Sequence, residues 1–520
     1  MDHFQPSLYV GLLFALAFFP FWCLVRRPKI SHPPSPPSLP FFGNLFSIPN
    51  EHEHIAFLKL GQQLESDIVY LKIFGQRIIV LNSIEAASDL LDKRSAISSD
   101  RPVFPMVTDP DLMNWSKNAS MIPPNDIWRL YRRIMNNWLN ARSVSQFCTQ
   151  QDQQTRLLLR ELLRGTNHAQ PFEYLKDIFF FTMGSSMLQL AYGYKPQSAK
   201  DGFFKEAQLA FHNIFLATTQ TNFLVNTFPA LSHLPDWFPG TSWKHTARQW
   251  RVQQDKAKTE PYEWLKTQVN SGVHRSSLLG SLLKGHKLLA DLSTTERDER
   301  LKEVGIIMFG GGTDTSAKYL ISLVLAMVLN PHVQANAQRE LDTVIGRATL
   351  PNTSDKERLP YIRNLVDEVF RLYPVFPFAV PHAYSQNDTY RGYDIEEGTV
   401  LIGNLWAMGR DPRYYKDPEV FDPDRFLDPN VPRPSTFGWG RRKCPGIHFA
   451  QNSAFVATAS LLSFFTFSKK RDSDLREIVP KVELERNSIA LELKPFEFEF
   501  KARSNEHELV LLELSKNEEC

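Results

Sequence analysis

Cysteine is scarce in this chain: four residues in 520, at Cys23, Cys148, Cys444 and Cys520, with no CxxC pair among them. That spacing excludes a disulfide framework and a structural zinc site. It points to a reducing compartment and leaves any sulfur chemistry to a single thiol. Excess charge is missing too. With 59 Lys and Arg against 57 Asp and Glu, the formal net charge is +2, which indicates neither a nucleic-acid partner nor an acidic tail. Zinc-finger spacings, RNA-binding signatures, and flavin or nicotinamide motifs are absent. Beyond about residue 51 there is no second linker, low-complexity run or internal repeat, so one large domain is expected.

Long apolar runs are almost absent as well, with one exception. From Leu8 to Val25 the chain reads LYVGLLFALAFFPFWCLV and then turns basic at Arg26, Arg27 and Lys29. About 20 apolar residues span a bilayer, and basic flanks stay cytoplasmic. Residues 1–25 are therefore expected to be a transmembrane anchor with the body of the protein on the cytoplasmic side. The alternative is a cleaved signal peptide, but the basic residues follow the apolar run and no small-residue cleavage site is evident. Residues 26–50 form a basic, proline-rich hinge. Pro33-Pro34-Ser35-Pro36-Pro37-Ser38-Leu39-Pro40 makes a semi-rigid spacer, and the apolar Phe41-Phe42 and Leu45-Phe46 that follow are placed to dock.

Residues 51–503 are expected to form the catalytic domain, and 504–520 a charged C-terminal tail. The texture is mainly α with a small β region. Strand-like runs occur near Ile68–Phe74, Arg77–Leu81 and Thr399–Ile402, and Asp411 to Arg442 is a Pro- and Asp-rich meander.

The most specific segment is Phe437-Gly438-Trp439-Gly440-Arg441-Arg442-Lys443-Cys444-Pro445-Gly446. A lone cysteine is usually a small hydrophobe, as Cys148 would be. Around Cys444, however, three glycines let the backbone approach a flat ligand. Two arginines and a lysine favour thiolate over thiol. The apolar run from Ile447 to Leu462 adds a helix N-terminus beside the sulfur.

The pattern Phe437, Gly440, Arg442, Cys444, Gly446 resembles the cysteine-ligand loop of the cytochrome P450 family. Three other segments match that family in order, so the resemblance covers essentially the whole chain. It implies the P450 fold, a triangular helical body with a β-rich N-terminal part, preceded by one transmembrane helix. It also implies haem b (iron protoporphyrin IX), with Cys444 as axial ligand to the iron.

Gly310-Gly311-Gly312-Thr313-Asp314-Thr315-Ser316 lies between flanks of helical composition. Each interior glycine costs a helix about 1 kcal/mol relative to alanine, so three require a reason; the alternative is a loop between two helices. In the family this is the distal helix, and Asp314 and Thr315 resemble its proton-delivering acid–alcohol pair. Glu368 and Arg371 are spaced i, i+3, which alone suggests a solvated ion pair. With Arg425 in Pro423-Asp424-Arg425-Phe426 they resemble the family's buried structural network. Trp128 and Arg132 resemble the helix that contacts a haem propionate, with His382 and Arg442 as further propionate partners. Arg133 and Arg441 suggest a basic face for an acidic redox partner.

The resemblance places substrate among Phe104, Val107, Phe223, Phe309, Val375 and Phe376, an apolar set that implies a lipophilic small molecule. Plain core is the competing reading for each. In its overall wording the chain resembles fungal microsomal members, including those like O-methylsterigmatocystin oxidoreductase and tryptamine 4-monooxygenase, which commonly act in secondary metabolism on terpenoids, polyketides or indoles. Such an enzyme resides on the endoplasmic reticulum membrane. It uses O2 and electrons from an NADPH-cytochrome reductase, with cytochrome b5 as a second donor. A haem-thiolate isomerase or dehydratase is the main alternative, and Asp314-Thr315 argues against it because such enzymes need no proton relay. A non-enzymatic haem carrier would leave the same pair unexplained.

Overall fold

The computed structural model describes residues 31–517, apart from 167, 220 and 486–488. The apolar run 8–25 lies outside the described residues. Among them, no single helix is long and apolar enough to cross a membrane.

Eleven helices of more than ten residues carry the described part of the molecule. They are α1 (Glu53–Gln63), α2 (Asp126–Leu139), α3 (Cys148–Arg164), α4 (Pro171–Tyr192), α5 (Gly202–Thr218), α6 (Ser242–Asn270), α7 (Thr294–Leu329), α8 (Pro331–Val344), α9 (Pro360–Leu372), α10 (Ile447–Phe464) and α11 (Asn505–Asn517). The strands are short and few. β1 (Ile68–Ile73) and β2 (Gln76–Leu81) form a hairpin; β6 (Val400–Gly403) runs parallel to β2, and β3 (His382–Ala383) closes the sheet antiparallel to β6. Two ribbons complete the set: β4 (Asp388–Tyr390) with β5 (Tyr393–Ile395), and β7 (Phe465–Ser468) with β8 (Glu499–Ala502). All three expected strand runs are present.

Helix α7 organises the body. Its start is fixed by a capping box in which the Ser293 hydroxyl accepts from Glu296 N–H and the Glu296 carboxylate accepts from Ser293 N–H, satisfying two otherwise orphaned donors. It stops at Leu329 because Pro331 disfavours helical geometry at Asn330. Its 36 residues span about 54 Å, and the helix packs against α4, α6, α10 and α5. One large core surrounds its C-terminal half, with Leu323, Val369, Phe455 and Phe464 fully buried. Another, which includes Tyr131, Phe211 and Phe309, surrounds its N-terminal half.

The three glycines lie inside this unbroken helix, so the loop alternative is excluded. They are not equivalent. A Cβ on Gly310 would fall 2.0 Å from the Phe211 ring of α5, and one on Gly312 2.1 Å from Met187 Sδ of α4. A Cβ on Gly311 would meet nothing within 4 Å. Two glycines therefore admit neighbouring helices, and one faces open space.

Phe41, Phe42, Leu45 and Phe46 do not sink into the core; Phe41 is 71% and Phe46 67% exposed. The charged tail is helical: residues 505–517 form α11, with His507 and Leu511 buried one turn apart and His507 against Phe464. The charges dominate its composition, but i, i+4 spacing places the two inward residues on one face.

Candidate haem-thiolate site

The Cys444 loop is shaped by backbone geometry. Gly438 and Gly440 adopt φ of +72° and +54°, a region costly for other residues. A Cβ on Gly440 would strike the Leu91 carbonyl oxygen at 2.4 Å. Cys444 N–H donates to Phe437 O at 2.9 Å, and Gly440 N–H to Asp92 Oδ1 at 3.0 Å. Gly446 is the N-cap of α10, so the thiol sits just before a helix N-terminus, as expected.

The electrostatics of the sulfur differ from the expectation. Burial pushes the Cys444 thiol above its ordinary range, opposed only in part by the Gly446 N–H and the Arg132 guanidinium. Arg441 and Lys443 are exposed and do not stabilise the thiolate. A buried thiol of this kind is a poor free nucleophile. It becomes a thiolate readily when a metal ion competes for the sulfur, so the donor fits a metal ligand better than a nucleophile.

Around one side of this loop lies a cluster of cations. Arg101 donates to Val380 O at 2.7 Å, Pro381 O at 2.6 Å and Ser120 O at 3.1 Å. Arg442 donates to Ser99 O at 2.8 Å and Ile122 O at 2.5 Å. The guanidiniums of Arg442 and Arg132 lie 4.8 and 5.7 Å from the ring centre of buried Trp128. Among the described residues, no carboxylate forms an ion pair with any of the three arginines. Burial, then the neighbouring Arg442, pushes Arg101 well below the arginine range, although Asp100 opposes this. Burial lowers Arg442 to about 10. Positive charge gathered here, relieved only in part by Asp100, fits an anionic ligand.

His382 fits that role less well than expected. Its Nδ1 lies 2.7 Å from the Ser98 carbonyl oxygen; because a carbonyl only accepts, Nδ1 carries the proton and neutral Nε2 is an acceptor. Burial and the flanking Arg101 lower its pKa to about 3. Arg101 was missed by sequence reasoning. Its signal was a lone cation at the head of the apolar stretch Pro102–Val107.

Facing the open side of α7, Ile307, Gly311, Asp314 and Thr315 retain accessibility on a helix whose flanking positions are buried. Thr315 Oγ1 donates to Gly311 O at 2.7 Å. Asp314 Oδ2 lies 3.0 Å from Lys318 Nζ. Ile307, one turn before Gly311, also escaped sequence reasoning.

Behind the thiol loop, Glu368 is completely enclosed. Its carboxylate accepts from Arg371 Nε and Nη2 at 2.7 and 2.8 Å, from Arg425 Nε at 2.9 Å and from Asp422 N–H at 2.8 Å. The remaining Arg371 donors reach Gly409 O, Pro418 O and Val420 O. These bonds tie α9 to the meander, and Phe370 of α9 touches Phe437 at 5.5 Å between ring centres. The solvated-pair alternative is excluded.

Of the apolar candidates, Phe309 faces neighbouring helices in this structure. Two residues from Gly311, it lies about 200° around the helix and packs on Phe204 and Phe211 with centroids 6.1 and 6.4 Å apart. Val375 and Phe376 adjoin the core of α9 and α10. Val107 is fully buried, Phe104 partly so, and Phe223 packs on Trp250 at 5.7 Å.

Fold and donor set together define a class: a mainly helical protein with one thiol before a helix N-terminus and a cluster of arginines suited to an anionic ligand beside it. A family model described as cytochrome P450 matches residues 33–500. A cytochrome P450 monooxygenase of Armillaria gallica is 34% identical over 469 residues, covering 89% of this chain and 91% of that protein. Cytochrome P450 monooxygenase 98 of Postia placenta is 34% identical over 497 residues, 94% of each. Tryptamine 4-monooxygenase of Psilocybe cyanescens is 34% identical over 467 residues, 87% of this chain and 89% of its own. The chain belongs to the cytochrome P450 family. It is a haem-dependent monooxygenase that uses O2, a small-molecule substrate and electrons from a redox partner.

Proposed function

We propose that Cys444 would supply the thiolate that holds the haem iron, that Arg101, Arg132 and Arg442 would hold the propionates, and that Asp314 and Thr315 hold and deliver protons. The observation that carries this reading is the group of three half-buried arginines, without an ion-paired carboxylate among the described residues, beside a half-buried thiol. Bound haem supplies the activation of dioxygen and its transfer to substrate, R–H + O2 + two electrons and two protons giving R–OH and water. The chain's own work is positional. Gly311 leaves room on α7; Thr315, its proton committed to Gly311 O, offers oxygen lone pairs to an ordered water. Glu368, Arg371 and Arg425 hold the meander behind the thiol loop.

The substrate in this reading is a lipophilic molecule of fungal secondary metabolism, of terpenoid, polyketide or indole type. The relatives and the apolar flanks of Phe104, Val107, Ile307 and Phe223 support it. We assign residues 1–25 to an endoplasmic reticulum anchor, 26–50 to a hinge and 51–503 to the catalytic domain on the cytoplasmic face. Support comes from an exposed aromatic patch: Phe41 meets Phe42, Phe74 and Phe228, Phe42 meets Phe46, and Trp237, 80% exposed, lies in the same segment as Phe228. Such a patch suits a lipid surface. Exposed Arg133, Arg441 and Lys443 suit an acidic NADPH-cytochrome reductase, with cytochrome b5 as a second donor.

Cys444→Ser tests the ligand. The reduced carbon monoxide complex is expected to lose its far-shifted thiolate Soret band while the fold persists by circular dichroism. Persistence of that band would refute the assignment.

A further inference from the structure

Lysine is among the residues least often buried, yet Lys318 is 9% exposed in the middle of α7. Its ammonium stands 3.0 Å from Asp314 Oδ2, one turn earlier, and 3.8 Å from Glu492 Oε2. The Phe215 ring of α5 covers a third side, 5.6 Å away. Glu492 comes from the segment between β7 and β8 and accepts from Lys176 Nζ of α4 at 3.3 Å. The row alternates in sign from the open face of α7 outward: Asp314, Lys318, Glu492, Lys176. Exposed His212 of α5 also acts on Glu492.

We propose that Lys318 is a positioning residue for Asp314, anchoring its carboxylate at rest and passing to Glu492 when Asp314 takes up a proton. This rests on reading Asp314 as a proton donor. While Asp314 is ionised, two carboxylates share one ammonium. Protonation of Asp314 removes its attraction, and Glu492 keeps its own. Burial alone would raise the Glu492 carboxyl, but Lys318, Lys176 and more distantly His212 hold it below the ordinary carboxylate range. The freed carboxylic acid can then turn toward the Gly311–Thr315 face. Its O–H bond breaks as it gives up the proton, the carboxylate returns to Lys318, and solvent water supplies the next proton. Glu492 is thus the acceptor that lets Asp314 go.

The test is epistasis in the full-length holoenzyme with its reductase. Glu492→Gln leaves Lys318 no second acceptor and is expected to raise hydrogen peroxide released per NADPH by roughly fivefold, a part of what a positioned acid contributes. In a Lys318→Gln background the same change is expected to do nothing. Lys318→Arg, which keeps the charge, is expected to restore the response, and guards against misfolding as the cause. A second readout needs no turnover. A Lys318→Gln, Asp314→Asn cycle on urea unfolding is expected to show coupling of roughly fivefold in the unfolding constant, and more with Glu492→Gln present. An equal effect of Glu492→Gln in both backgrounds, or coupling unchanged by it, overturns the proposal. If Asp314→Asn leaves peroxide release unaltered, the proton-donor reading has failed, whatever the unfolding cycle shows.

Discussion

Two clusters of buried charge flank the thiol loop, and they differ in one respect. Behind the loop, Glu368 takes two arginines and a backbone N–H, and every donor of Arg371 finds an oxygen. On the other side, Arg101, Arg132 and Arg442 meet carbonyls and an aromatic face but no carboxylate among the described residues. The first cluster is closed within the chain and behaves as scaffold. The second, the open one, has no ion-paired carboxylate among the described residues, which is the arrangement the proposed anionic ligand would complete. A buried charge is costly unless paired, so an unpaired cluster kept in a fold is a binding site more readily than a stability device.

The largest effect should follow from breaking the closed cluster. Glu368→Gln leaves Arg371 fully buried without a counter-charge, at a cost of about 3–5 kcal/mol. Denaturant unfolding together with haem content checks this. A stability within experimental error of the parent would show that the network does not hold the meander.

The open cluster should respond with the opposite sign. Arg101→Leu removes a half-buried cation that Asp100 relieves only in part and no ion pair among the described residues holds, so the haem-free chain is expected to unfold at the same or higher denaturant concentration. Haem loss, followed by transfer to an excess of apomyoglobin, is expected to quicken roughly tenfold or more, the worth of a charge-assisted hydrogen bond. If both stability and retention fall together, Arg101 belongs with the scaffold and the contrast fails.

How much of this was legible beforehand follows from the same contrast. Composition and motif order carried the helical body, the strand runs, the thiol loop and the glycine-bearing helix. The i, i+3 spacing of Glu368 and Arg371 states only that they share a helix face; that this face is sealed by a meander some 50 residues on is a long-range fact. Arg441 and Lys443 are adjacent to the cysteine in sequence but exposed, whereas Arg132, some 300 residues earlier, acts on the sulfur. Likewise the glycine triplet announced a close approach without saying that two of its members admit side chains from α5 and α4. Phe309 shows the same limit of sequence: apolar character names a buried residue and not the face on which it is buried.

His382 offers the smallest effect and the finest discrimination, because at neutral pH its replacement should change little. Within the chain the imidazole is held neutral down to about pH 3 by burial, Arg101 and Arg442; unfolded, it takes a proton near pH 6.5. Between those values the unfolded state binds the extra proton, so this residue makes stability fall as pH falls, at about 1.4 kcal/mol per pH unit. His382→Asn keeps a donor for Ser98 O and removes the titration. Unfolding of the haem-free chain between pH 6 and 4 is therefore expected to lose that part of its slope, with values at pH 7.5 unchanged. In the haem-bound protein the difference between parent and variant should shrink, since two carboxylates beside the ring favour its charged form. An identical loss of slope with and without haem would place His382 outside the open cluster and leave the three arginines as its only cations.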